Sequence, residues 1–199
     1  MKKREFLKFG MFSTIALFIP KKLFALEYYP TESNKKWAVL YGTWCGSSRD
    51  AALWISEGMD GIANVFDVRE NPDLSKYDHI IIGGSIRSSQ TPIPLQEYIK
   101  KNRNSIKDKI RGLYVVCGNM MKPVGPEQKT LLIDNHLAKI CGEINVPSKV
   151  FLGRITLGLM DKEARTTMTQ FRMPEYDNLK RADCLAFGKE ILANVTSKI

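Results

Sequence analysis

The eight residues Asp78–Ser85, DHIIIGGS, constrain this chain more than any other stretch. Three consecutive isoleucines leave no polar face, so the segment reads as a strand buried on both sides. Strands of that kind belong to parallel sheets covered by helices. Trp37–Gly42 (WAVLYG) and Arg111–Asn119 (RGLYVVCGN) repeat the arrangement, each an apolar run that ends in a glycine-bearing loop. Ile62–Val68 and Ser148–Ile155 read as two further strands. Ser47–Gly58 reads as a helix with Ala51, Ala52, Trp54 and Ile55 on its apolar face. Three more helices are expected over 92–107, opened by prolines, over 127–142, closed by Gly142, and over 178–199. Arg69–Tyr77 is a connection with room for one helical turn, and Thr156–Asp177 shows no assignable period. Strands alternating with helices argue for an α/β fold, a doubly wound five-stranded parallel sheet.

The 199 residues suffice for one such domain with an appendage. Hydrophobic residues make up 44% and charged residues 26%, a globular balance that excludes a disordered chain. Lys and Arg number 30 against 21 Asp and Glu, a net charge of +9 that suits anionic lipid headgroups or acidic small molecules. The basic residues are scattered rather than interleaved with aromatics, so nucleic acid is not an expected partner. His79 and His136 are too few and too far apart to suggest a metal site. Cys45, Cys117, Cys141 and Cys184 lack any CxxC spacing, and the last two read as small buried hydrophobes. Cys45 differs, because it lies at a helix start where a thiol can be partly activated.

Residues 1–34 read as a segment outside the folded domain, which spans 35–199. MKKREFLKFG is basic, MFSTIALFI is too short to span a bilayer, and Pro30–Lys36 looks like a linker. Lys2-Lys3-Arg4-Glu5-Phe6-Leu7-Lys8 resembles the twin-arginine export motif, with Lys3 in place of its first arginine and Lys2 in place of its serine. A processing site after Ala25 is poor, since Leu23 is large. The other reading is an uncleaved amphipathic anchor on a membrane surface. The expected location is across or at the bacterial inner membrane, with the cytoplasmic membrane face as the alternative.

If the strand order is 2-1-3-4-5, the first, third and fourth strands are neighbours. Their loops, Gly42–Ser48, Gly83–Thr91 and Gly118–Gly125, then converge where open parallel sheets bind ligands. The first loop, Gly42-Thr43-Trp44-Cys45-Gly46-Ser47-Ser48, is rich in hydroxyls and runs straight into a helix. Backbone N–H groups and hydroxyls gathered in front of a helix dipole make a phosphate cradle. The same residues also suit an ordinary turn with a Ser N-cap.

At these residues the chain resembles the flavodoxin family, whose doubly wound sheet has the strand order 2-1-3-4-5. Thr43-Trp44-Cys45-Gly46-Ser47-Ser48 stands where that family has S/T-x-T-G-x-T, with Cys45 departing from the central Thr. The resemblance, over residues 36–195, implies that Thr43, Ser47, Ser48 and the backbone around Gly46 hold the phosphate of FMN. Within it, YDHIIIGGSIR is similar to a narrower branch, the bacterial flavodoxin-type protoporphyrinogen dehydrogenases. Asp78, Gly83, Ser85, Ile86 and Arg87 match that branch. Ser88 stands where the branch usually has a Tyr, which leaves Trp44 to cover the flavin ring. Arg87 reads either as a ligand for a propionate or the reduced flavin, or as an ion pair with a helix carboxylate. Asn119 is offered to the ring edge, and Met120 and Met121 serve as apolar walls or core filler.

No acid, base or nucleophile triad is visible, so catalytic residues are unknown and redox chemistry falls to the cofactor. The resemblance implies an FMN oxidoreductase, protoporphyrinogen-dehydrogenase-like, that passes electrons from a reduced organic substrate, a porphyrinogen, to a membrane quinone or other acceptor. The alternatives are a non-enzymatic electron carrier docking on a redox protein and a flavin-free binding module of the same fold.

Overall fold

The structure, a computed structural model, describes residues 30–118 and 124–197. Five parallel strands form one sheet in the order β2-β1-β3-β4-β5: β1 (Trp37–Gly42), β2 (Ala63–Asp67), β3 (His79–Ile86), β4 (Ile110–Cys117) and β5 (Ser148–Leu152). Helices α1 (Ser47–Gly58) and α6 (Arg181–Thr196) cover one face. The other carries α2 (Ile93–Ile106) and a helical run made of α3 (Pro126–Lys129), π-helical Thr130–Leu137 and α4 (Ala138–Cys141). The expected sheet order 2-1-3-4-5 is the one observed.

The isoleucine run of β3 explains itself in this frame. Ile80 and Ile82 enter the core under α2, and Ile81 enters the core under α1 and α6, all three fully buried. Each contributes about 1.5–3 kcal/mol by leaving water, which is why neither face of the strand tolerates a polar residue. β4 divides the same way, with Leu113 and Val115 on one side and Tyr114 and Val116 on the other.

Glycines 83 and 84 lie inside β3 rather than in a loop, paired with Tyr41 and Gly42 of β1. A Cβ on Gly83 would stand 2.2 Å from the ring of fully buried Tyr114, so this glycine makes room for an aromatic. Asp78 serves the opposite, amino edge of the sheet, where its carboxylate accepts the Lys36 N–H at 2.8 Å. The described chain enters at that edge, Thr31 N–H donating to the Gly61 carbonyl at 2.8 Å. The expected signal or anchor segment lies outside the described residues.

Two expectations are corrected. The strand expected over 148–155 breaks at Gly153. Arg154–Ile155 (β6) then pairs antiparallel with Tyr176–Asp177 (β7), away from the main sheet. The unassigned segment between them carries a helix, α5 (Lys162–Gln170), capped by the Asp161 carboxylate accepting from Ala164 N–H at 2.8 Å.

Candidate ligand-binding cleft

The loop after β1 decides between its two readings. Thr43 Oγ1 accepts the Gly46 N–H at 2.9 Å, which folds the loop back on itself. Gly46, with φ +86°, is the N-cap of α1, and no side chain accepts from the first turn. The Ser N-cap reading is therefore overturned: Ser47 and Ser48 lie inside the helix, and its leading N–H groups keep their capacity for an anion. A side chain on Gly46 would meet open space but would be strained by the left-handed backbone.

Two hydroxyls around this loop are buried without partners, Ser48 Oγ and Ser85 Oγ. Leaving a buried hydroxyl unpaired costs about 1–3 kcal/mol; Ser85 lines the cleft and marks a place where a ligand acceptor fits, with Ser48 in the loop behind it. Ser48 is also fixed from behind, its carbonyl accepting the Tyr114 Oη–H at 3.1 Å. Tyr114, Gly83 and Ser48 thus form one buried stack that ties β3 and β4 to the start of α1.

The second loop leaves β3 at Ile86 and turns through Arg87–Gln90. The expected residues meet in one cleft: Thr43, Trp44, Cys45, Ser47, Ser85, Ile86, Arg87 and Ser88 all line it, with Gly46 and Ser48 in the loop behind. Asn119, Met120 and Met121 lie outside the described residues. Cys45 is not activated. Burial first, then the Asp161 carboxylate, pushes its thiol pKa up, so the thiol stays protonated in neutral solution.

Arg87 makes the ion pair that one reading allowed. Its Nη1 lies 2.9 Å from Asp161 Oδ2, and its guanidinium stands 5.4 Å from the centre of the Trp44 ring. These three side chains bridge the first loop, the second loop and the cap of α5 across the mouth of the cleft. Trp44, 44% exposed, therefore stacks on an arginine in this structure.

Sequence reasoning missed the opposite wall. Met160, Ala164, Thr167 and Met168 face Ile86, Val116 and Ile155, giving the cleft an apolar side next to its hydroxyl-lined end. Arg154, also missed, lies beside it with Nη2 at 2.7 Å from Asp50 and Nε at 3.3 Å from Asp177. It clamps the first turn of α1 to β7. The one legible signal was Asp161 followed by Lys-Glu-Ala, a helix start with an acidic cap.

A family model described as a flavodoxin domain matches residues 38–179, more than half of the chain. No curated protein matches the chain. Among solved structures it is similar to rubredoxin:oxygen oxidoreductase from Desulfovibrio gigas, with 11% identity over 86% of this chain and 38% of that one, at a TM-score of 0.51. A flavodoxin-type WrbA-like protein from Agrobacterium tumefaciens is 14% identical over 82% and 98%, at 0.50. Oxidised flavodoxin 1 from Bacillus cereus is 16% identical over 79% and 97%, at 0.49. The first two show a shared fold at this level of identity. With its sheet order and its family match agreeing, the chain belongs to the flavodoxin family.

Proposed function

We propose that this protein is an FMN-binding electron-transfer flavoprotein, and within that class an oxidoreductase of the protoporphyrinogen-dehydrogenase type. It takes hydride equivalents from a reduced organic substrate and delivers electrons to a membrane quinone or another acceptor. The observation that carries the FMN reading is the pair of unpartnered buried hydroxyls, Ser48 Oγ and Ser85 Oγ, beside an uncapped helix start. The residues fit an FMN phosphate, which Thr43, Ser47, Ser48, Ser85 and the backbone at Gly46 would hold. FMN supplies the redox chemistry when bound. This chain supplies orientation: the cradle fixes one end of the ligand, and the apolar wall of Met160, Ala164 and Met168 excludes water at the other.

The enzyme reading draws on the motif shared with the dehydrogenase branch. Of its matching residues, Asp78 and Gly83 serve the fold, whereas Ser85, Ile86 and Arg87 line the cleft. To meet a substrate propionate, Arg87 has to exchange Asp161 for it, and both partners are half exposed and able to part. The N-terminal segment keeps its proposed role as export signal or membrane anchor.

The test is the visible spectrum of the purified full chain before and after adding FMN, followed by porphyrinogen oxidation with a quinone acceptor. Flavin bands that travel with the protein, and turnover that requires it, are expected. A protein that binds no FMN overturns the proposal. Binding without turnover overturns the dehydrogenase and leaves the electron carrier.

A further inference from the structure

The turn at the cleft's mouth has an unusual backbone. Ser88 (φ 51°) and Ser89 (φ 61°) are both left-handed, and Arg87 and Gln90 exchange hydrogen bonds at 2.9 and 3.0 Å across them. This paired left-handed geometry is normally filled by Asn and Gly, and two serines hold it only where their surroundings impose it. The surroundings act through Thr91, which is 2% exposed and leaves the turn toward α2. Its carbonyl accepts Gln96 Nε2–H at 2.7 Å. Its N–H donates to His136 Nε2 at 3.0 Å, and its hydroxyl lies 3.0 Å from the same nitrogen.

His136 comes from the π-helical stretch Thr130–Leu137, a widened form of helix found most often at functional positions. We propose that His136 is the positioning residue of the cleft's second loop: its neutral ring anchors Thr91, holds the Arg87–Gln90 turn in register, and releases it on protonation. The inference rests on the FMN reading for its ligand and on hydrogen-bond geometry for its switch. A ring nitrogen that accepts from a backbone N–H carries no proton, so the ring is neutral with its hydrogen on Nδ1. Protonation turns that nitrogen into a donor: the buried Thr91 N–H loses its acceptor, and the Thr91 hydroxyl at 3.0 Å has to turn from donating to accepting.

The charges around the ring set the direction. Burial, then the Lys100 ammonium from α2, lowers the His136 pKa. The clamp is therefore intact at neutral pH and opens below the ordinary histidine value of about 6.5. Arg87 and Ser88, which line the cleft on the far side of the turn, move with it.

The experiment has two arms. Nitrogen-15 NMR of the ligand-free full chain, from about pH 8 to about pH 5, follows the His136 ring and the Thr91, Ser88 and Ser89 amides. The three amides are expected to move with the midpoint of the His136 ring. FMN titration is expected to lose affinity about tenfold over the same range, and to stay flat in His136→Gln, whose amide oxygen accepts without a charge. His79→Gln, at the opposite edge of the sheet, is expected to keep the wild-type profile. Amides that ignore the ring, a ring neutral throughout the range, or an unchanged profile in His136→Gln overturns the proposal. If FMN binds at no pH, the proposed function fails while the amide titration still decides the clamp. If His136→Gln does not fold, the amide titration of the unaltered chain decides it.

Discussion

Ser48 shows most directly how one residue separates a folding role from a binding role. Its hydroxyl is buried without a partner, while its carbonyl already serves the fold by accepting from Tyr114. Ser48→Ala removes only the unpaired group, so thermal unfolding without ligand is expected to stay level or rise by up to about 1 kcal/mol. FMN affinity, read by flavin fluorescence quenching, is expected to fall about fivefold, one lost hydrogen bond. Loss of stability with unchanged affinity would make the serine structural. The pattern of Thr43, Gly46 and Ser47 was legible in the sequence, because hydroxyls and a glycine before a helix announce an anion site. The orphan state of Ser48 and Ser85 was not, since it depends on which neighbours fail to reach them. Gly83 misled for the same kind of reason: a glycine that accommodates Tyr114 from the next strand looks, in one dimension, like the start of a loop.

Among the α-helices, α5 is the one the sequence did not show, and its surroundings explain why. None of its residues is buried, because the face formed by Ala164, Thr167 and Met168 lines the open cleft rather than the core. It is held at its start, where Asp161 caps Ala164 N–H and pairs with Arg87. The Ala164 N–H holds the Asp161 carboxyl below the ordinary carboxylate range; burial opposes it, and Arg87 adds to the lowering. A group whose pKa is lowered in the folded state gives its stabilisation above its unfolded value of about 3.9, and loses it as pH falls through the lowered value. Amide hydrogen exchange in α5 is therefore expected to be slow near neutrality and to lose protection in acid. Asp161→Ala, which removes the capping acceptor, is expected to show weak protection at every pH, with the exchange of β3 and β4 unchanged. Protection that ignores both pH and the substitution would mean that α5 is held by something other than its cap. Helices α1 and α2, by contrast, start and stop close to where the sequence put them, because each buries a face against the sheet.

The described residues form two apolar cores separated by one sheet, and one of the cores rests on an unusually close helix pair. A Cβ on Gly188 would stand 2.2 Å from the Ile55 carbonyl oxygen, and one on Gly58 would stand 2.2 Å from that of Leu185. Backbone cannot move aside as a side chain can, so Gly188→Ala is expected to cost about 3 kcal/mol in denaturant unfolding. The sheet also fixes what each end of the molecule can do. The cleft sits at the carboxyl edge, and the described chain enters at the amino edge, where Thr31 meets Gly61 and Lys36 meets Asp78. The six residues of β1 put about 20 Å between those edges. The proposed anchor segment joins the described chain at the edge opposite the cleft. A chain beginning at Pro30 is accordingly expected to unfold at the same temperature as the full chain and to bind FMN with the same Kd. Its sedimentation with anionic vesicles is expected to drop sharply, because the cationic and apolar residues of 1–29 are gone. If truncation weakens FMN binding instead, the N-terminal segment reaches the cleft and the separation of the two edges is not what organises this protein.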